Sequence, residues 1–220
     1  MNLLAIYRAE EFSPGRVTDD RAIMDAVIVN LTKILSDIRC DMCREEDLFL
    51  YFKLRMDFDV ILSMGRQSDT LDWLKDQQEK GVLVLNSPDA VRLVSKRENL
   101  FWLTGESFNP CCPPYWKKSE SYSTVNEPVV FVENNENKSN SLTDGVVYSK
   151  HHEGEHIKFY GIGGILLDFY GGDAIISDSG EIHIIDINDW PSFSICREEA
   201  AKAIADYIIK KYENRFKEFV

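Results

Sequence analysis

The sequence predicts an α/β protein in two parts: a small parallel α/β domain over residues 1–95, then an antiparallel-sheet, α+β domain over 96–220. Three observations predict it. Short apolar runs alternate with amphipathic helices through the first part. From Gly145 the pattern changes to alternating strands punctuated by glycine. Between the two lies SFNPCCPPYWKKSESYSTVNEP, rich in Pro, Ser and aromatics, which reads as loop or linker.

In chain order, NLLAIYR is an opening strand. RAIMDAVIVNLTKILSDI places Ile23, Ala26, Val27, Leu31, Ile34 and Leu35 on one face of a helix. FDVILSM (58–64) is a buried strand, and SDTLDWLKDQQEK a helix capped by Ser68 or Asp69 and ended by Gly81. VLVL (82–85) is a third strand, and Asn86-Ser87-Pro88 starts a helix with Pro88 near its first position. VVFV (129–132) is a short strand, and ENNENKSNSLTDG is polar loop or frayed helix. GVVYSK, HIKFYGI, GILLDFY and DAIISDSGEIHIIDIN read as antiparallel strands. REEAAKAIADYIIKKYENRF is a closing helix, with Ala200, Ile204, Tyr207 and Ile208 on one side, acids at its start and lysines near its end.

Of 220 residues, 44% are apolar and 28% charged, the mix of a soluble globular chain. A net charge of -12 argues against nucleic acid or an anionic membrane as partner. It leaves room for a phosphate ligand, which needs only a few local cations. The opening lacks a basic segment before its short apolar run, and no run is long enough to span a bilayer, so a cytoplasmic protein is expected. Five cysteines in such a chain read as reduced thiols. Cys40 and Cys43 with Cys111 and Cys112 offer four thiols, but adjacent cysteines do not match paired-knuckle zinc spacing, and small buried residues are the plainer reading. A homodimer is compatible with the sequence.

The hairpin DAIISDSGEIHIIDIN carries Asp173, Asp186 and Asn188 among isoleucines. With Asp178–Glu181 as its loop, Ser177 faces Ile182 and Asp173 faces Asp186, with Asn188 on the same face as Asp186. Carboxylates opposite one another, with Cβ atoms about 4.5–5.5 Å apart, repel. A divalent cation removes that repulsion, and an all-oxygen set suits Mg²⁺ or Mn²⁺. The alternative stands beside it: Asp173 ends a loop and Asp186 caps the turn before Asp189-Trp190-Pro191.

This pattern, a carboxylate, a second one 13 residues later, then any residue and Asn before a Pro-containing turn, resembles the metal-binding hairpin of the ATP-grasp superfamily. It is most similar to a subgroup with a GGDAI…IIDINDWPSF-type signature. The resemblance covers most of residues 59–100 and 145–210. It implies a pre-ATP-grasp-like domain over 1–95 and a shortened ATP-grasp-like nucleotide-binding domain over 96–220. It implies that Asp173, Asp186 and Asn188 hold Mg²⁺ (or Mn²⁺) against ATP phosphates. Lys96 or Arg97, after the Asn-Ser-Pro turn, matches a phosphate-binding cation, as does Lys158 in HIKFYGI. VVYSK matches the adenine hinge, with backbone groups of Tyr148 and Ser149 near the base.

The activity it implies is ATP-dependent ligation of a small-molecule carboxylate to an amine or thiol acceptor through an acylphosphate. A kinase of the same fold and a non-catalytic nucleotide-binding scaffold are the alternatives. Lys158 has a catalytic role in this reading, and Arg197 grips a substrate carboxylate or else pairs with nearby surface acids. Trp190, Ser192 and Phe193 either touch the acceptor or, for the aromatics, seal the core. His151 and His152 read as solvated turn residues. Two places depart from the family: no strand with a second phosphate lysine and no glycine-rich flap is visible between Pro114 and VVFVENN, and between Tyr160 and Gly171, where the family has longer strands and connections, there is only GIGGILLDFY.

Overall fold

The computed structural model describes residues 1–51, 57–96, 99, 115–117, 147–149 and 153–217. Strand β1 (Asn2–Tyr7) is followed by α1 (Val17–Ile34), β2 (Arg39–Arg44), the short α2 (Leu48–Tyr51), β3 (Val60–Ser63), α3 (Ser68–Glu79), β4 (Leu83–Leu85) and α4 (Pro88–Val94). Then come β5 (Tyr115–Lys117), β6 (Val147–Ser149), β7 (Glu155–Ile162), β8 (Phe169–Ile176), β9 (Ile182–Asp189) and α5 (Arg197–Lys217).

The first four strands form one parallel sheet, in the order β2-β1-β3-β4. Strands β5 and β6 pair antiparallel, and β7-β8-β9 form a three-stranded sheet. The expected mixed α/β class, parallel first and antiparallel later, is the one observed.

Several elements differ from expectation. β2 is an additional strand: RCDMCR has no apolar run because it is a sheet edge with one buried residue, Cys43. Burial pushes the Cys40 thiol up to about 11 and the Cys43 thiol up to about 12, which disfavours the thiolate. Helix α1 begins at Val17, with Asp19 and Asp20 in its first turn where the helix dipole favours acids, and stops before Leu35. GILLDFY is a strand only from Phe169; Gly163, at φ 83°, donates to the Asp168 carbonyl and closes a loop that leaves Ile165 in solvent. The expected strand at 129–132, and His151, His152, Cys111 and Cys112, lie outside the described residues.

The chain groups into two compact units. One comprises 1–95, 160–171 and 188–220, the other 96–159 and 172–187. A break falls after Ser95, and the start of β8, the end of β9 and the whole of α5 group with the N-terminal sheet. The reason is apolar burial. Leu3, Ala5 and Tyr7 of β1 and Val60 and Leu62 of β3 share one core with Ile23, Val27 and Leu31 of α1 and Ala201, Ile204, Ala205 and Ile208 of α5. Phe169, Trp190 and Phe193 complete it. Each large side chain so buried contributes about 1.5–3 kcal/mol. β1 is buried along both faces, as a central parallel strand should be.

Candidate functional site

The β8–β9 hairpin is closed by a tight three-residue loop. Ser177 N–H donates to the Glu181 carbonyl and Gly180 N–H to that of Ser177, with Gly180 at φ 82°. Glycine at that left-handed position is what such a bulged turn requires. Ser177 therefore pairs with Glu181, and the four-residue loop expected from the sequence is corrected by one residue. Counted regularly from this turn, Gly172 lies across from Asp186, and a Cβ on Gly172 would run into the Asp186 carbonyl. Toward the other end, Trp190 N–H donates to the Phe169 carbonyl. Eight residues separate Ser177 from Phe169 and nine separate Glu181 from Trp190, so β9 takes up one extra residue. The simple face-to-face register of Asp173 and Asp186 is thus not the register at the turn.

Asp173 is half-buried on β8. The Lys158 ammonium, from β7, donates to its Oδ1 at 2.8 Å. His156 Nε2 lies 3.2 Å from the same oxygen. His156 and Lys158 are two apart on one strand, so both side chains leave the same face. Lys158 is 50% exposed, and the pair's energetic value is correspondingly small. Its positional meaning is larger: a cation and a carboxylate from adjacent strands meet on one surface. Both contacts are to Oδ1, and a carboxylate has lone pairs for further donors or a cation on Oδ2.

Asp186 and Asn188 lie on β9, both half-buried. Asp173 and Asp186 belong to the second unit, and Asn188 opens the last stretch of the first. Among the described residues there is no group of three His, Cys, Asp or Glu that could hold a metal. Two carboxylates and an amide are a different set, all oxygen, and their chemistry fits a hard cation such as Mg²⁺.

Lys96 is exposed just beyond α4, and no contact joins it to Lys158 or Asp173 among the described residues. Arg97 lies outside them. Tyr148 and Ser149 are in β6, paired with Trp116 and Tyr115. Arg197 opens α5, and its Nε is buried without a hydrogen-bond partner among the described residues. Trp190 and Phe193 are buried; Trp190 stacks at 4.4 Å from Phe169, and Phe193 at 5.0 Å from Tyr160. They seal the core of the first unit.

A polar cluster that the sequence reading missed lies at the carboxyl ends of β1, β2 and β3. Arg8 follows β1 directly and is buried; it donates to the Asp189 carbonyl at 2.9 Å and lies 3.4 Å from both Asp189 Oδ2 and Asp20 Oδ2. Arg66, after β3, grips Asp189 Oδ1 through Nε at 2.9 Å and through Nη2. Asp189 is 0% exposed. Burial lowers the Arg8 pKa, opposed chiefly by the Asp189 charge. Glu45 follows β2 and accepts from the Gln67 and Ala9 backbone N–H groups at 2.6 and 3.4 Å. Burial nevertheless raises its pKa above the usual carboxylate value. The available signal was an Arg one residue after β1 and another three residues after β3.

No protein-family model matches this chain. No curated protein matches it in sequence. Solved structures do resemble it. The D-alanine–D-alanine ligase from Bacillus anthracis complexed with ATP matches with a TM-score of 0.65 at 12% identity, over 100% of both chains. A Chryseobacterium gregarium RiPP-associated ATP-grasp ligase, in complex with ADP and a leader and core peptide, matches at 0.56 and 10% identity, over 96% of this chain and 97% of that one. The ATP-grasp ligase PsnB, complexed with a precursor variant, Mg and ADP, matches at 0.52 and 10%, over 93% and 96%. The fold is that of ATP-grasp proteins.

Proposed function

We propose that this chain is a Mg-ATP-dependent ligase that joins a carboxylate to an amine or thiol through an acylphosphate. The observation that carries the reading is the meeting of Lys158 and Asp173 on adjacent strands of an ATP-grasp fold, with Asp186 and Asn188 following on β9. The fold's solved neighbours are ligases that hold ATP, or ADP with a peptide, which supports the reaction class.

In this reading Asp173, Asp186 and Asn188 supply the oxygen ligands of Mg²⁺. The ion, when bound, neutralises phosphate charge that develops during transfer. Lys158 exchanges its carboxylate partner for a phosphate oxygen and provides fixed positive charge there. Lys96 or Arg97 adds a second cation, and the backbone of Tyr148 and Ser149 receives the adenine. Arg197 grips the acceptor carboxylate in a bidentate fork. An acceptor carboxylate oxygen attacks the γ-phosphorus, and the bond to ADP breaks with its electrons leaving on ADP. The amine nitrogen then attacks the acyl carbon, the acyl–oxygen bond breaks, phosphate leaves, and the amine gives up a proton. The protein's part is positioning and charge compensation.

The test is isotope transfer. Acceptors labelled with oxygen-18 in the carboxylate, drawn from amino acids and short peptides, are incubated with Mg-ATP and a panel of amines. The ligase reading predicts one labelled oxygen in the released phosphate, and loss of turnover in Lys158→Ala. Phosphate retained on a hydroxyl of the product would make the protein a kinase instead.

A further inference from the structure

The order β2-β1-β3-β4 reverses direction between β1 and β3. In open parallel sheets the crevice outside the carboxyl ends of the strands at such a reversal is the usual ligand position. Here that position is taken by the chain's own carboxylate. Arg8, from the end of β1, and Arg66, from the end of β3, both close on buried Asp189. Arg8 is anchored in turn by the Met64 carbonyl and by Asp20, which accepts a hydrogen bond from the Ser13 hydroxyl at 2.7 Å.

Stability alone does not call for such an arrangement. A buried ion cluster is often matched or bettered by apolar side chains of similar volume, because each charge must be desolvated. What the cluster does is fix a backbone. Arg8 contacts the carbonyls of Asp189 and Trp190, the side chain of Asp189 is held from two sides, and Trp190 N–H is tied to Phe169. Trp190 and Phe193 are held at φ 45° and 48°, a conformation that bulky residues keep only where the surroundings impose it. Asn188, the last of the three proposed metal ligands, is the residue immediately before this clamp.

We propose that Arg8 and Arg66 are positioning residues: through Asp189 they fix the Asn188 end of β9 for metal binding. The proposal rests on the reading of Asn188 as a Mg²⁺ ligand given above. Arg8 and Arg66 touch neither metal nor nucleotide in this account. Residues that orient a metal ligand typically change metal affinity about 10–100-fold when removed.

The experiment compares the full-length parent with Arg66→Met, Arg66→Lys and Asp189→Asn. Arg66 is the least buried member, 17% exposed, and Arg8 still faces Asp189 in its absence, so Arg66→Met is the variant best placed to fold. Two quantities are read. One is hydrogen–deuterium exchange across residues 184–194 without ligand. The other is the Mg²⁺ midpoint for binding a fluorescent ADP analogue. The proposal predicts faster exchange at Asn188–Trp190 in Arg66→Met. It also predicts a Mg²⁺ midpoint raised about tenfold or more, with nucleotide affinity at saturating Mg²⁺ unchanged and Arg66→Lys in between. Asp189→Asn, which keeps the shape and removes the charge, moves both quantities in the same direction. A lowered melting temperature or faster exchange with an unmoved Mg²⁺ midpoint makes the clamp purely structural and overturns the proposal. Unchanged exchange also overturns it, and leaves the ligase reading intact. A parent that binds no nucleotide with Mg²⁺ overturns the ligase reading itself, and the positioning role falls with it.

Discussion

Glu45 is an acid whose burial acts against its charge. It sits 1% exposed at the end of β2, accepting backbone N–H groups that favour the carboxylate, yet desolvation outweighs them and its pKa is raised. A group whose folded pKa lies above its unfolded one stabilises the fold below the unfolded value and loses that contribution as pH rises through the folded value. The parent should therefore lose stability relative to Glu45→Gln as pH climbs from its ordinary 4.5 toward neutrality. Melting temperatures of the two proteins at several pH values between about 4 and 7 check this, and a parent that gains on the variant with rising pH contradicts it. At this scale the sequence was legible where chemistry repeats at short spacing. Asp173, Asp186 and Asn188 were conspicuous because polar residues interrupt isoleucine-rich strands. The Arg8–Asp189 pair was not, because it joins residues 181 positions apart and neither sequence context is unusual.

Among the elements, the start of β8 is held by the Asn86 amide as well as by Trp190 N–H. Asn86, buried after β4, donates to the Phe169 carbonyl at 2.8 Å and accepts from the Phe169 N–H at 2.7 Å. Removing the side chain leaves a buried N–H unpaired. Asn86→Ala should cost about 2–4 kcal/mol, read as a lower midpoint in urea with an unchanged slope. A cost under about 0.5 kcal/mol would show the contact to be replaceable. The Asn-Ser-Pro turn was legible as a helix start, since Pro88 suits a first turn, but its bond to a strand 83 positions away was not. Edge strand β2 escaped notice for a related reason: periodicity detects buried faces, and RCDMCR buries little. GILLDFY misled in the opposite direction, because an apolar run is also what a loop tethered by Gly163 and Asp168 can carry.

For the whole molecule, the sequence conveyed the order of parallel and antiparallel parts but not the membership of the closing helix. α5 has an apolar stripe that any sheet could cover, and only the three-dimensional core shows Ile204 and Ile208 beside Ile23 and Leu31 of the N-terminal part. No helix among the described residues is long and apolar enough to cross a membrane. A net charge of -12 makes each cation near the hairpin count, since a polyphosphate ligand would need local positive charge in so acidic a chain. In the proposed function, Asp173, Asp186 and Asn188 bind Mg²⁺ together with the phosphates of ATP. The decisive measurement is titration calorimetry with a non-hydrolysable ATP analogue, with and without Mg²⁺, on the parent, Asp173→Ala and Asp186→Ala. Binding by the parent should depend on the metal and be weakened at least about tenfold in both variants, a loss of about 1.4 kcal/mol or more. Binding that is absent from the folded parent, or indifferent to Mg²⁺ and to both substitutions, would contradict it.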